Sequence, residues 1–200
     1  MANFLHVGCG RQRKDRTTAG FNTPDWHECR LDIDSAVQPD IVGTITDMAL
    51  VANGSMDALY SSHNIEHLYP HEVPLALKEF HRVLGPDGFA VITCPDLQSV
   101  AELIAQDKLL EAAYQSPAGP ISPLDILYGH RPAVAAGNLW MAHHSGFTLR
   151  SLMNAVREAG FASVIGRRQP APAYALWVIA TKTQQPESAL RTLAAEHFPR

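Results

Sequence analysis

The sequence predicts an α/β domain built on a mostly parallel sheet, and three observations carry that prediction. The chain opens with an apolar run, Asn3-Phe4-Leu5-His6-Val7, that stops at Gly8-Cys9-Gly10. A short strand buried on both faces and ended by two glycines lets the backbone turn tightly and approach a ligand. Further on, Asp57 to Cys94 reads as strand, helix, strand, the clearest local structure in the chain. Finally, apolar runs of strand length recur between helical segments, seven in all.

The strands and helices follow in order. After Gly10, the stretch from Arg11 to Gly20 lacks apolar residues at helical spacing and predicts a loop or a very short helix. Its four basic residues among six positions either bind an anionic group or form a solvated loop. His27 to Asp34 reads as a second strand ending in acids. Asp32 lies 22 residues beyond Gly10, where a carboxylate can accept both hydroxyls of a ribose. Asp34 either takes that role or caps the next turn. Pro39 to Gly43 is a short third strand. Asp47, just beyond its carboxyl end, either contacts an adenine amino group or caps the turn around Ala49.

Asp57 to Ser62 is the fourth strand. From Pro70 to Leu84 the pattern is helical, with Val73, Leu77, Phe80 and Leu84 on one face and Ala76 and Val83 beside them. Phe89 to Cys94 is a fifth buried strand. Asp96 caps a helix expected to reach about Tyr114, with Leu110 inward. Ser116 to Asn138, rich in proline, glycine and alanine, reads as a long loop of the kind that forms lids. Thr148 caps a helix closed by Gly160. Two last strands, Ala162 to Arg167 and Tyr174 to Thr181, precede a helix from Pro186 to Phe198.

Composition narrows the function. With 200 residues, 46% hydrophobic and 18% charged, the chain is expected to form one domain. A net charge of −4 gives no basic face for nucleic acid or an anionic membrane, and no apolar run approaches the length of a membrane span. The three cysteines, Cys9, Cys29 and Cys94, are far apart and read as buried fillers in a reducing compartment. With no signal-peptide pattern at the N-terminus, the expected location is the cytoplasm.

The series Gly8-Cys9-Gly10, Leu31-Asp32-Ile33, Ser62-His63-Asn64-Ile65-Glu66-His67-Leu68, Arg82-Val83-Leu84-Gly85-Pro86-Asp87-Gly88-Phe89 and Pro95-Asp96-Leu97 resembles the class I S-adenosylmethionine-dependent methyltransferases. It is most similar to their small type 11 group. The resemblance implies a Rossmann-like seven-stranded, mostly parallel sheet with an antiparallel C-terminal hairpin and helices on both faces. It also implies S-adenosyl-L-methionine as cofactor, bound by His6, Gly8, Cys9, Gly10, Asp32, Ile33, Asp47, Met48, Ser61, Ser62 and His63. Two departures stand out. Arg11-Gln12 replaces the usual Thr-Gly of the turn, and Thr44 stands where relatives carry an Asp. Independently, a dinucleotide site would want a third glycine where this chain has Arg13.

Two polar groupings remain. His63-x-x-Glu66-His67 matches an inverted zinc-protease pattern. The segment leaves a buried strand ahead of Pro70, and relatives carry Leu-Glu-His there without metal, so no metal is expected. His143 and His144, with Tyr128, His130 and Arg131, either line an acceptor site or tie down the long loop. In the first case His143 is the general base.

The expectation is a single domain over residues 1–200 with a lid-like insertion at about 115–147. It would transfer a methyl group to a small or medium acceptor, without nucleic acid or membrane partners. The alternatives are a catalytically silent domain that binds S-adenosylmethionine or S-adenosylhomocysteine, and an NAD-dependent oxidoreductase. Neither the acceptor nor the oligomeric state is written in the sequence.

Overall fold

The computed structural model describes residues 1–199. Its strands are β1 (Ala2–Val7), β2 (Trp26–Asp32), β3 (Ile41–Val42), β4 (Met56–Ser62), β5 (Leu84–Pro95), β6 (Tyr114–Ser116), β7 (Gly119–Ile121), β8 (Ser163–Gln169) and β9 (Ala175–Thr181). Its helices are α1 (Val73–Val83), α2 (Leu97–Ala105), α3 (Pro123–Tyr128), α4 (Arg131–Ala135), α5 (Leu149–Glu158) and α6 (Glu187–His197). Seven strands form one sheet in the order β3-β2-β1-β4-β5-β9-β8, and β6 and β7 pair separately. The first five strands of the sheet run parallel, and β9 lies antiparallel to both β5 and β8. The order reverses between β1 and β4. The carboxyl ends of these two strands therefore flank the crevice where such sheets bind ligands.

One face of the sheet, including Leu5, Leu59 and Ile92, packs on α1 and α5. The residues expected to point inward from α1, namely Val73, Ala76, Leu77, Phe80 and Val83, are all buried, as is Leu84 beyond it. Removing the ring of Phe80 would cost about 3–5 kcal/mol, because a packed core closes only partly over a cavity.

The opposite face is covered differently. Residues 11–25 contain only one short 3-10 turn, Lys14–Arg16, so no helix crosses over from β1 to β2. Phe21 and Trp26 fill that space, with Phe21 stacked on Phe4 at 4.3 Å between ring centres. The helix α6 completes the cover through Leu193 and Ala194, followed by Phe198. His197 at its end is buried against Phe21 and Phe89 and hydrogen-bonded to the Thr18 hydroxyl at 2.6 Å. Burial pushes its imidazole down to about 4. Lys14, one of the four basic residues, is used internally, donating to the Thr23 and Trp26 carbonyls.

Several expectations give way in the segment after β5. The helix begun by Asp96 ends at Ala105, not near Tyr114, because the chain turns left-handed at Asp107. Leu110 is 68% exposed and Tyr114 belongs to β6. Ser116 to Asn138 is not a structureless loop but completes the β6–β7 hairpin and forms α3 and α4. A small core of Val100, Ile121 and Ile126 gives this segment its own packing. The chain then returns to the sheet, where the Leu97 N–H donates to the Phe147 carbonyl. Trp140 is 63% exposed and not part of a core. All three cysteines are free. Cys9 and Cys94 are buried, but Cys29 is only half-buried.

Candidate functional site

The register aligns Val7 with Leu31 on β2 and with Ser61 on β4, so three strands end level beside the glycine turn. Gly8 and Gly10 both have positive φ, +59° and +51°, which glycine adopts without strain. A Cβ on Gly8 would collide with the Asn64 side chain, whereas one on Gly10 would meet open space. The turn is thus packed on its β4 side and open at its tip. There the Gly10 N–H donates to Asp32 Oδ2 at 2.7 Å, and the Asp34 N–H donates to Oδ1 at 2.9 Å. Each carboxylate oxygen keeps a further lone pair for an incoming hydroxyl. The Asp34 side chain accepts from Ala36 N–H, which is its capping alternative. Ile33, between the two acids, is 44% exposed at the same strand end.

Arg30, to which sequence patterns assign no role, holds this turn in place. It is buried, yet its guanidinium donates to four backbone carbonyls: Gly10, Gln12, Val37 and Gln38. It therefore ties the glycine turn to the loop after β2. The signal available in the sequence was a charge in the middle of a central strand, which must find internal partners.

Other residues expected at the cofactor divide. His6 is buried, with Nδ1 2.7 Å from Glu28 Oε1. Burial pushes the Cys9 thiol up to about 11, so it stays protonated. Asp47 caps its own turn by accepting from Ala49 N–H, the second of its two readings. Met48 packs in the main core, with its N–H donating to Glu79 and its carbonyl accepting from Arg82. Near the carboxyl ends of β4 and β5, Ser61 Oγ and Thr93 Oγ1 are buried without hydrogen-bond partners, as is Asn64 Nδ2 in the turn after β4. His63 is exposed, in a left-handed conformation with φ +47°.

A second constellation lies just beyond Asn64. Glu66 is buried, and neither carboxylate oxygen has a hydrogen-bond partner. The His63 Nδ1 lies 3.4 Å from one of them, too poorly placed for a hydrogen bond. Burial raises the Glu66 carboxyl, but His63, His67 and His143 outweigh it, and the group is held below the ordinary carboxylate range. The His67 and His143 rings meet edge to face at 4.8 Å. His67 Nδ1 faces the Ala142 carbonyl at 3.0 Å, and His143 Nδ1 faces the Ile126 carbonyl at 2.8 Å. Burial, chiefly, lowers His143 below its usual value and favours the neutral ring. The return of the long segment is fastened here, since the His144 and Ser145 N–H groups both donate to the Glu66 carbonyl.

The remaining residues expected near the acceptor do not all gather with His143. Arg131 pairs with Asp125 at 2.7 Å and locks the start of α3, which explains its position without a ligand. Arg131 and the Ser122 cap outweigh burial and hold the Asp125 carboxyl far below its ordinary range. Tyr128 is exposed but gives its carbonyl to the His143 N–H. His130 is half-buried at the start of α4, and His144 is exposed and stacked on Tyr69 at 4.1 Å. Two concavities, of about 550 and 490 Å³, meet at Arg168 on the β8 side of the sheet. Neither is lined by the glycine turn or Asp32.

The sheet order and the glycine turn facing an acid on β2 define the fold of a class I methyltransferase. Residues 5–92 match the family Methyltransf_11, described as a methyltransferase domain. No curated protein matches the sequence. Similar folds recur among solved structures. One is a Burkholderia thailandensis 1,6-didemethyltoxoflavin-N1-methyltransferase with bound 1,6-didemethyltoxoflavin and S-adenosylhomocysteine. It is 18% identical, with a TM-score of 0.58 over 92% of this chain and 72% of that one. Another, an S-adenosylmethionine-dependent methyltransferase from Methanosarcina mazei, is 15% identical, with a TM-score of 0.59 over 92% and 93% of the two chains. A possible histamine N-methyltransferase from Thermotoga maritima is 14% identical, with a TM-score of 0.56 over 92% and 83%. Among the described residues no helix is long and apolar enough to cross a membrane.

Proposed function

We propose that the chain binds S-adenosyl-L-methionine and transfers its methyl group to an acceptor of small or medium size. The observation that carries this reading is Asp32 seated under the Gly10 N–H, beside a glycine whose missing Cβ leaves open space. Gly8 and Gly10 allow close backbone approach, and Asp32 offers lone pairs to ribose hydroxyls. Ser61, Ser62 and His63 line the crevice from the β4 side. The bound cofactor supplies an electrophilic sulfonium methyl, so the protein's main task is to align the acceptor for in-line attack. Methyl transfer to a protonated acceptor would require a base of the protein to take the acceptor's proton. In the metal-free chain that base is His143, whose ring is neutral and whose Nδ1 is already engaged. The segment at about 115–147 acts as a lid over the strand ends.

The bound S-adenosylhomocysteine of the Burkholderia relative supports the choice of cofactor, and its 1,6-didemethyltoxoflavin supports a small-molecule acceptor. A dinucleotide is disfavoured because only a three-residue 3-10 turn follows β1, leaving no helix N-terminus for a pyrophosphate. Calorimetry with S-adenosylmethionine, S-adenosylhomocysteine and NAD tests the reading. Saturable binding of the first two is expected, and binding of NAD alone would overturn it. Turnover with labelled cofactor in fractionated extracts then separates an enzyme from a silent binding domain.

A further inference from the structure

We propose that Glu66, His67 and His143 form a binding site for a divalent first-row metal ion of the zinc class. One donor atom from each residue lies within 4.8 Å of the others. In tetrahedral zinc with bonds of about 2.0–2.1 Å, neighbouring ligand atoms are roughly 3.4 Å apart. Small side-chain rotations would close the difference.

Three further features point to a ligand. Glu66 is buried with neither carboxylate oxygen hydrogen-bonded and with the exposed His63 ring 3.4 Å away, a costly arrangement for an anion unless a further cation joins it. Both histidines turn Nδ1 to a backbone carbonyl, at 3.0 and 2.8 Å. A carbonyl only accepts, so each Nδ1 carries the proton and each Nε2 keeps its lone pair. That is the second shell that orients metal-bound imidazoles. Two imidazoles and one carboxylate favour zinc, iron, cobalt or nickel over calcium or magnesium.

The ligand set is not the one suggested by His63-x-x-Glu66-His67. His63 remains exposed, and its place is taken by His143, 76 residues beyond His67 and delivered by the return of the long segment. His67 and His143 are only half-buried, so the site can be approached from outside. Three protein ligands leave coordination positions for water or an acceptor oxygen. Glu66 follows two residues after Asn64, which packs on Gly8, so the site adjoins the crevice. The site stands independently of methyl transfer but changes one role within it. Metal on Nε2 makes His143 a ligand and removes it as a base.

The test uses the full chain after treatment with a chelator. Calorimetry with Zn²⁺ alone is expected to show one saturable site per chain, and Co²⁺ to give visible d–d absorption. Glu66→Gln and His143→Ala should weaken Zn²⁺ more than about 10-fold, while His27→Ala on the exposed surface should not. If either ligand variant fails to fold, proton NMR of the wild-type Co²⁺ form serves instead. It should show hyperfine-shifted Nδ1–H signals from two histidines. A wild-type chain without saturable Zn²⁺ binding would overturn the proposal, as would unchanged affinity in folded His143→Ala or a Co²⁺ form without shifted imidazole protons. S-adenosylhomocysteine binding measured on the same samples keeps the two readings separate. Its presence without metal binding removes only the metal site, and the reverse removes only the methyl-transfer reading.

Discussion

Two side chains at the end of β2 do different work. Asp32 accepts from the Gly10 and Asp34 N–H groups and, in the proposed reading, from the ribose, whereas Arg30 positions the turn. Asp32→Ala should weaken S-adenosylhomocysteine by about 1–3 kcal/mol, the cost of losing hydrogen bonds to hydroxyls and to the turn. Isothermal titration checks this, and unchanged affinity would move the ribose contact elsewhere. Arg30→Leu removes the donor to four carbonyls, Gly10, Gln12, Val37 and Gln38, and leaves them poorly satisfied. Breaking such a buried network should lower unfolding stability by about 3–5 kcal/mol and loosen the glycine turn. Urea denaturation reads the first effect. A loss below about 1 kcal/mol would mean that water replaces the guanidinium without cost. Asp32 was legible because its spacing from Gly10 follows from strand and turn lengths. Arg30 was less legible: a charge within a buried strand must find internal partners, but nothing in the sequence says that they are the carbonyls of the glycine turn and of the loop after β2.

At the level of elements, periodicity decided what could be read. The helix α1 and the strands β1, β4 and β9 carry clear apolar runs and each lies close to its expected place, whereas β5 starts at Leu84, five residues before the expected Phe89. The hairpin β6–β7 has strands of three residues, too short for any period to emerge, and α3 and α4 follow suit. The role of α6 was also hidden, because it covers a face that a crossover helix would usually occupy. His197 makes that role measurable. Its imidazole lies at about 4 in the folded chain against an ordinary value of 6.5. Between those values the unfolded chain binds a proton that the folded chain refuses. Stability should therefore be full above pH 6.5 and fall as the pH drops to 4. The loss is on the order of 3 kcal/mol, because each pH step of one across that interval removes about 1.4 kcal/mol. His197→Gln keeps a partner for Thr18 but cannot take up that proton, so its urea midpoint should vary less across this range. An identical pH profile in the two proteins would show that α6 does not hold His197 neutral.

Across the whole molecule, the candidate site joins two distant parts of one chain. The turn after β4 supplies Glu66 and His67, and the return of the segment after α2 supplies His143. Sequence could propose each half but not their meeting, since nothing local records that the return lies along Ile65–His67. Gly129 governs that meeting. It has φ +92° where the outgoing chain crosses the return, it bridges to Ala142, and a Cβ there would run into the Met141 carbonyl. In Gly129→Ala the crossing must therefore open, and His143 loses its anchorage beside Tyr128 and Ile126. Gly129 lies outside the seven-stranded sheet and outside the cores on its two faces. Hydrogen exchange should accordingly quicken in residues 126–146 while β1, β4 and β5 keep their protection. Methyl transfer should fall, and S-adenosylhomocysteine affinity should change little, because Gly8, Gly10 and Asp32 belong to β1, β2 and the turn between them and not to this segment. If exchange quickens uniformly across the sheet, the segment is part of the main cooperative unit and cannot move as a separate cover.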